Sequence, residues 1–150
     1  MKNINIPSKE VILSLHDVVL EISGGLPGVR DMNVVTAACQ RPHTYQGYAD
    51  NYDVHTAGAL LLDSLARNHA FVEGNKRTAL VTVLLTYTVN GIYLKMPLFM
   101  NNEFEELVLW VVNQKPSIDE IDKRLRSLVK KYQESGFQAI IDKLKARFFR

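Results

Sequence analysis

The stretch "NHAFVEGNKRTALVTVLLTYTVNG", residues 68–91, joins a polar loop to the most apolar run of the chain. From residue 75 onward apolar side chains face nearly every direction around a helix, which is typical of a helix buried in a bundle. Gly91 suits the left-handed conformation that commonly ends a helix. The apolar run, residues 79–89, is too short to cross a bilayer. The stretch therefore predicts a central apolar helix over residues 75–90.

Helical patterns also lie on both sides of this stretch. Ser8 can cap a first helix that runs to about residue 21, and Asp31 or Asn33 can cap a short second helix that Pro42 ends. The remaining apolar periodicities predict helices over residues 53–67, 102–113, 117–131 and 137–149.

Residues 41–52 are polar and aromatic, which predicts an ordered loop or a short β-hairpin flap. Residues 91–96, "GIYLKM", give the best strand signal, and such signals are otherwise scarce. We therefore expect an all-α fold, a compact helical bundle around one central apolar helix, with at most a short β-hairpin flap.

The composition restricts the class of protein. A chain of 150 residues with 47% hydrophobic and 23% charged residues predicts one globular domain and argues against disorder. The net charge of +2 gives no sign of direct nucleic-acid binding. The single cysteine, Cys39, excludes an internal disulfide and a cysteine-based zinc site. The first ten residues, "MKNINIPSKE", lack the apolar segment of a signal peptide, so we expect a cytoplasmic protein without membrane attachment.

The loop before the central helix carries groups suited to phosphates. The first turn of a helix presents unpaired N–H groups and the positive end of the dipole, so anions bind there. Gly74 allows close approach of a phosphate, and Asn75 offers an amide at the same point. Lys76 and Arg77 put positive charge where the helix dipole disfavours it unless an anion is bound. Glu73 is a natural magnesium ligand beside such a site.

His69 lies on the approach to this helix and could accept a proton from an incoming hydroxyl. Together with the cationic turn it completes a set of groups for transferring a phosphorus group to a hydroxyl. Each residue alone has a simpler interpretation: Asn75 as a helix cap, His69 as a turn residue, Lys76 and Arg77 as a solvated face. Their occurrence together, in this order, favours function.

Other nucleotide and metal motifs fit poorly. A P-loop needs a Gly-Lys pair with another glycine five residues before it, which this chain lacks. The glycines of residues 24–28, "GGLPG", lack the spacing of a dinucleotide-binding loop. His16, His43 and His55 show no metal-ligand spacing, which leaves residues 68–77 as the candidate site.

The run "HAFVEGNKR" closely resembles the signature of the Fic/Doc family, His-x-Phe-x-(Asp/Glu)-Gly-Asn-x-Arg. The flanking runs "GGLPGVRD", "RP", "LARNHAF" and "NGIYL" resemble its death-on-curing (Doc) branch, the type II toxin–antitoxin toxins. The resemblance is good over residues 8–94 and continues weakly to about residue 131. It implies a Fic/Doc domain over residues 1–131, followed by a basic amphipathic helix, residues 132–150, packed on or extending the domain. Dimerisation and partner capture are the alternative roles of that last helix.

The resemblance assigns a role to each residue of the motif. His69 matches the catalytic base, and Glu73 matches the ligand of the Mg²⁺ that accompanies ATP. The other matches are Gly74 and Asn75 to the anion hole, Arg77 to the phosphate-binding arginine, and Phe71 to the structural anchor of the loop.

Lys76 bears on the reaction itself. Family members that transfer AMP usually have glycine here, and Doc-branch toxins have lysine. The resemblance therefore implies an inverted nucleotide whose γ-phosphate passes, with Lys76 as a catalytic residue, to a serine or threonine of a target protein, by analogy translation factor EF-Tu. The alternatives are a Fic-type AMP transferase that tolerates Lys76 and a catalytically silent module that only binds a partner.

Three departures from the family pattern qualify this resemblance. Ala70 stands where proline is commonest, and Thr36 lies near the place of a glutamate frequent in the Doc branch. The chain also lacks the Ser/Thr-x-x-x-Glu-(Gly/Asn) motif with which some relatives block their own site. The resemblance therefore implies restraint by a separate antitoxin.

Overall fold

The computed structural model describes residues 3–95, 102–133 and 135–149. These residues form seven helices and no β-strand beyond two isolated bridges, which confirms the all-α prediction. The helices are α1 (Lys9–Ser23), α2 (Met32–Gln46), α3 (Val54–Arg67), α4 (Asn75–Val89), α5 (Asn102–Gln114), α6 (Ile118–Tyr132) and α7 (Ser135–Phe148).

The helix at the centre of the bundle is α3. All of its residues except His55 and Arg67 are buried, and α2, α4, α5 and α6 pack around it. The prediction that residues 75–90 form the central helix was wrong, because α3 occupies that position. Leu80 and Val81 of α4 stay partly exposed because they line an open groove between α1 and α5. The sequence of α4 is thus apolar on nearly every face because one side packs in the core and the other lines this groove.

Side-chain caps begin α1, α2, α3 and α6, and two of them, Ser8 and Asp31, are the caps that the sequence predicts. The Asp31 side chain accepts from the Asn33 N–H at the start of α2. The Ser8 hydroxyl accepts from the Val11 N–H at the start of α1. Asp53 caps α3 and Ser117 caps α6, each completed by a capping box. Such a cap satisfies N–H groups that no residue within the helix can reach, so the sequence determines where these helices begin.

The second helix differs from its prediction, because α2 continues through Pro42 to Gln46. A proline inside a helix removes one backbone donor and costs about 3 kcal/mol. Burial of Pro42 together with Val35 and Ala38, on a helix that packs against α3, offsets that cost. The predicted loop or hairpin flap over residues 41–52 is therefore wrong, since its first half is helical.

The chain after α4 forms only a minimal β contact. Leu94 makes an isolated antiparallel bridge with Gln133, and the Lys95 N–H donates to the Tyr132 carbonyl at 2.6 Å. The strand signal over residues 91–96 thus corresponds to this single bridge, and residue 96 lies outside the described residues.

The last helix is α7. Among the described residues no other helix packs against it, and Ile140, Leu144 and Phe148 expose 57%, 44% and 66% of their surfaces. No helix of the described part of the chain is long and apolar enough to span a membrane.

Candidate active site at the N-terminus of α4

The loop between α3 and α4 presents His69 to solvent. His69 is exposed and has φ 50, the left-handed region that only a few per cent of non-glycine residues occupy. Such conformations persist where the surrounding structure enforces them, and they concentrate at functional sites. The imidazole is therefore accessible to a substrate and held on a constrained backbone.

The loop is fastened to the segment between α1 and α2. The Ala70 carbonyl accepts from the N–H groups of Arg30 and Asp31 at 2.7 and 3.1 Å. The Val72 N–H donates to the Gly28 carbonyl at 3.1 Å, and the bridge between Val29 and Phe71 lies between these bonds. A loop with this many external hydrogen bonds keeps one conformation, which preorganises the residues that it carries.

Phe71 anchors the loop from inside. Its side chain is 1% exposed, and its ring stacks on that of His16 with centroids 3.8 Å apart. The Asn75 side chain makes two hydrogen bonds with the backbone of Phe71. Its Oδ1 accepts from the Phe71 N–H and its Nδ2 donates to the Phe71 carbonyl, both at 2.9 Å. The Asn75 side chain thus braces the loop, and its role in binding a phosphate stays a prediction.

The start of α4 has no side-chain cap. Gly74 is its N-cap residue with φ 83, and among the described residues no side chain bonds the free N–H groups of the first turn. A Cβ at Gly74 would lie 3.2 Å from Leu20 Cδ2 and 3.5 Å from the His16 ring, so this backbone is closely packed on its inner side. An uncapped helix start carries partial positive charge that an anion can satisfy. The anion hole predicted here thus depends on backbone groups of residues 75–77.

Glu73 and Arg77 are positioned by the end of α1. Glu73 Oε2 accepts from the Leu26 N–H at 2.8 Å. Arg77 Nη1 donates to the Gly24 carbonyl at 2.9 Å and to the Ser23 hydroxyl. The two side chains approach each other over Gly25, where a Cβ would lie 3.0 Å from Glu73 Oε2 and 3.3 Å from Arg77 Nη2. A carboxylate and a guanidinium thus lie together beside the helix start.

The donors present suit magnesium bound together with a phosphate. Mg²⁺ usually keeps several waters and takes only one or two protein carboxylates plus phosphate oxygens. Glu73 is exposed and offers one such carboxylate. Within the described ranges, no group of three or more His, Cys, Asp or Glu side chains could hold a metal ion. The site therefore fits Mg²⁺ that arrives with a nucleotide.

Lys76 is exposed and borders a cavity of about 470 Å³ between α1, α4 and α5. The cavity has mostly apolar walls, and its charged groups are Lys76, Arg77 and Glu105. The full lining is Val19, Ser23, Lys76, Arg77, Leu80, Val81, Glu105, Val108 and Leu109. The cationic first turn of α4 thus adjoins a groove large enough for a small molecule or for one face of a bound peptide.

Two contributors to this site were not predicted from the sequence. His16 was set aside for lack of metal-ligand spacing, yet its Nε2 lies 2.7 Å from the Glu73 carbonyl oxygen. The glycine segment, residues 24–28, was considered as a dinucleotide-binding loop and rejected, yet it positions Glu73 and Arg77. The sequence did contain a signal for a role of His16, because it shares one buried face of α1 with Ile12 and Val19. A polar residue at such a position normally has a specific hydrogen-bond partner.

Comparison with known proteins agrees with the family resemblance of the sequence. A family model described as "Fic/DOC family" matches residues 6–86. The chain is 31% identical over 121 residues to a protein described as "Protein kinase doc" of Escherichia phage P1, covering 81% of this chain and 93% of that one. It is 37% identical over 103 residues to "Toxin Doc" of Mycolicibacterium smegmatis, covering 68% and 78%.

Proposed function

Because the chain belongs to the Fic/DOC family, we propose that it is a Doc-like toxin that transfers the γ-phosphate of ATP to a serine or threonine hydroxyl of a target protein. The observation that carries this proposal is the first turn of α4, which has no side-chain cap and bears Lys76 where AMP-transferring members of the family usually have glycine, with room for the α-phosphate. The relative described as a protein kinase supports phosphate transfer over AMP transfer.

His69 supplies the base of the proposed reaction. Its exposed imidazole takes the proton from the attacking hydroxyl, whose oxygen forms the new bond to the γ-phosphorus while the bond to the β-phosphate oxygen breaks. ADP leaves, and the target carries the phosphate. The constrained backbone of His69 restricts where the imidazole can point, which reduces the entropy lost on reaching a reactive geometry.

The start of α4 stabilises the charge that develops on the transferred group. The backbone N–H groups of residues 75–77, with Lys76 and Arg77, are donors and charges already in place for the negative oxygens of the transferred phosphate. Glu73 would hold Mg²⁺, which neutralises charge on the phosphates when it is bound. The bonds from Leu26 to Glu73 and from Arg77 to Gly24 keep both side chains near the helix start before substrate arrives.

The target and the restraint follow from the family resemblance. We take translation factor EF-Tu as the target and a separate antitoxin as the inhibitor. The groove between α1, α4 and α5 supports the second part, because it is apolar, open and next to Lys76. Leu109 on its rim is 46% exposed, as is Val18 on α1. Apolar surface of this kind is typical of a site for a partner helix.

The test incubates the purified protein with Mg²⁺, EF-Tu and ATP labelled at either the α- or the γ-phosphate. Transfer of label to EF-Tu from γ-labelled ATP alone is the expected result, with none for His69→Ala. Label from α-labelled ATP alone would assign the protein to the AMP-transferring group. Absence of label from both, with EF-Tu and a whole bacterial lysate, would favour the silent partner-binding module.

A further inference from the structure

His16 is a buried histidine outside the motif that nonetheless contacts the motif loop. It lies on α1, 57 positions before Glu73, and only 2% of its surface is exposed. Its ring stacks face to face on Phe71, with an interplanar angle of 7°. The ring also packs against Gly74, since a Cβ there would lie 3.5 Å from His16 Nε2 and Cδ2. One side chain therefore contacts three residues of the loop.

The hydrogen bond of His16 defines its tautomer. Nε2 lies 2.7 Å from the Glu73 carbonyl oxygen, and a carbonyl can only accept, so Nε2 carries the proton. Nδ1 lies 4.0 Å from Asp17 Oδ1, which is too long for a hydrogen bond, and Asp17 is itself exposed. The imidazole thus uses its Nε2–H to hold the peptide between Glu73 and Gly74.

We propose that His16 is a positioning residue for phosphate transfer, which fixes the Glu73–Gly74 peptide so that the Glu73 carboxylate and the free N–H groups of α4 face the nucleotide phosphates together. The inference rests on the proposed function, because it concerns the same site. The orientation of this peptide determines both groups: Glu73 precedes it, and the first turn of α4 follows it. A rotation of the peptide would move the carboxylate and the helix N–H groups apart.

A role in core packing alone would require only the ring. Phe71 and Gly74 would pack equally well against an apolar aromatic ring, which has no donor for the Glu73 carbonyl. The hydrogen bond therefore distinguishes positioning from packing. Two substitutions separate these contributions, because His16→Phe keeps the stacked ring without the donor, whereas His16→Gln keeps a donor near the Nε2 position without the ring. His43→Phe, on an exposed position of α2, is the matched control.

The experiment measures three quantities for each variant: the affinity for Mg²⁺-ADP by calorimetry, kcat and KM for γ-phosphate transfer, and hydrogen exchange of the amides of residues 73–77. We expect His16→Phe to keep a melting temperature near that of wild type. Its affinity for Mg²⁺-ADP and its kcat should each fall by about tenfold, as for the loss of one buried hydrogen bond. Its amides at residues 73–77 should exchange faster. His16→Gln should recover most of the affinity and exchange protection, and His43→Phe should match wild type.

The inference is overturned if His16→Phe keeps wild-type affinity and exchange, or if the losses in His16→Phe and His16→Gln both follow their losses in melting temperature. The first result would show that the bond positions nothing, and the second that His16 only fills the core. A wild-type protein that transfers no label would refute the proposed kinase function alone. Calorimetry and hydrogen exchange would still decide the role of His16.

Discussion

The Leu26 N–H donates a 2.8 Å hydrogen bond to Glu73 Oε2 and so connects the end of α1 to the proposed magnesium ligand. Two residues earlier, the Gly24 carbonyl accepts from Arg77. The turn after α1 therefore positions one anionic and one cationic group of the site. Because this turn is exposed and contains no catalytic group, changes within it test whether positioning alone affects nucleotide binding.

Gly25→Ala should weaken binding of Mg²⁺-ATP by about tenfold, the effect of misplacing one charged hydrogen-bonded group. A Cβ at this position would lie 2.9 Å from Leu20 Cδ2 and 3.0 Å from Glu73 Oε2, so the carboxylate must move. Calorimetric titration with a non-hydrolysed ATP analogue measures the change.

Gly24→Ala is the control for backbone strain. Gly24 also has a positive φ, of 78, but a Cβ there meets nothing within 4 Å. Both substitutions introduce alanine into an unfavourable conformation, which costs stability in each variant. Only Gly25→Ala displaces Glu73, and equal losses of affinity in the two variants would contradict this explanation.

His69→Ala should abolish phosphate transfer without loss of fold, because His69 is exposed and contributes to no core contact. His69→Asn is the companion variant, since asparagine accepts the left-handed conformation at φ 50 but cannot serve as the base. Radiolabel transfer and circular dichroism are measured for both. Activity above 1% of wild type, on the order of the usual gain from a general base, would show that another group accepts the proton.

Features determined by neighbouring residues were predictable from the sequence. Ser8, Asp53 and Ser117 each bond N–H groups two or three positions later, so the starts of α1, α3 and α6 follow from local chemistry. Pro42 is the counterexample. Its local preference ends a helix, but packing of α2 on α3, a contact between distant parts of the chain, continues the helix to Gln46.

The site shows the same division between local and distant contacts. The motif residues lie within a few positions of each other, so their shared location at the start of α4 was predictable. The partners that orient them, His16 and Leu26, lie more than 40 positions away, and no spacing rule relates them to Glu73. The direction of the Asn75 side chain was equally inaccessible, because the amide could bond either a ligand or the Phe71 backbone.

Asp53 should make stability depend on pH on the acid side. Burial acts to raise the pKa of Asp53, but hydrogen bonds from Arg126 and the Thr56 backbone lower it more strongly, so the pKa lies below its ordinary value of 3.8. The folded state therefore gains stability above pH 3.8 and loses it as the pH falls through the folded pKa. Asp53→Asn should lower the free energy of unfolding at pH 7 by roughly 1 kcal/mol or less, because the pair is partly exposed.

The measurement is urea unfolding between pH 7 and pH 3. Asparagine keeps the cap of α3, so the difference between Asp53→Asn and wild type isolates the ion pair with Arg126. That difference should shrink toward pH 3. Glu106→Gln, at an exposed position of α5, is the control for the loss of a carboxylate outside the ion pair with Arg126, measured in the same way. A difference for Asp53→Asn that stays constant across the range would show that Arg126 contributes nothing through charge.

Lys76→Gly should reduce transfer from γ-labelled ATP and open room for transfer of AMP from α-labelled ATP. The lysine adds both bulk and positive charge in the first turn of α4, at the edge of the cavity next to Arg77. Lys76→Ala separates the two effects, since it removes the charge but keeps a Cβ, and Lys123→Ala on the exposed face of α6 controls for the loss of a surface lysine. Both substitutions at Lys76 remove the charge contact with the phosphates. We therefore expect the initial rate of γ-phosphate transfer at saturating ATP to fall by about tenfold in each. Unchanged γ-transfer in Lys76→Gly would show that this position does not determine which phosphorus reacts.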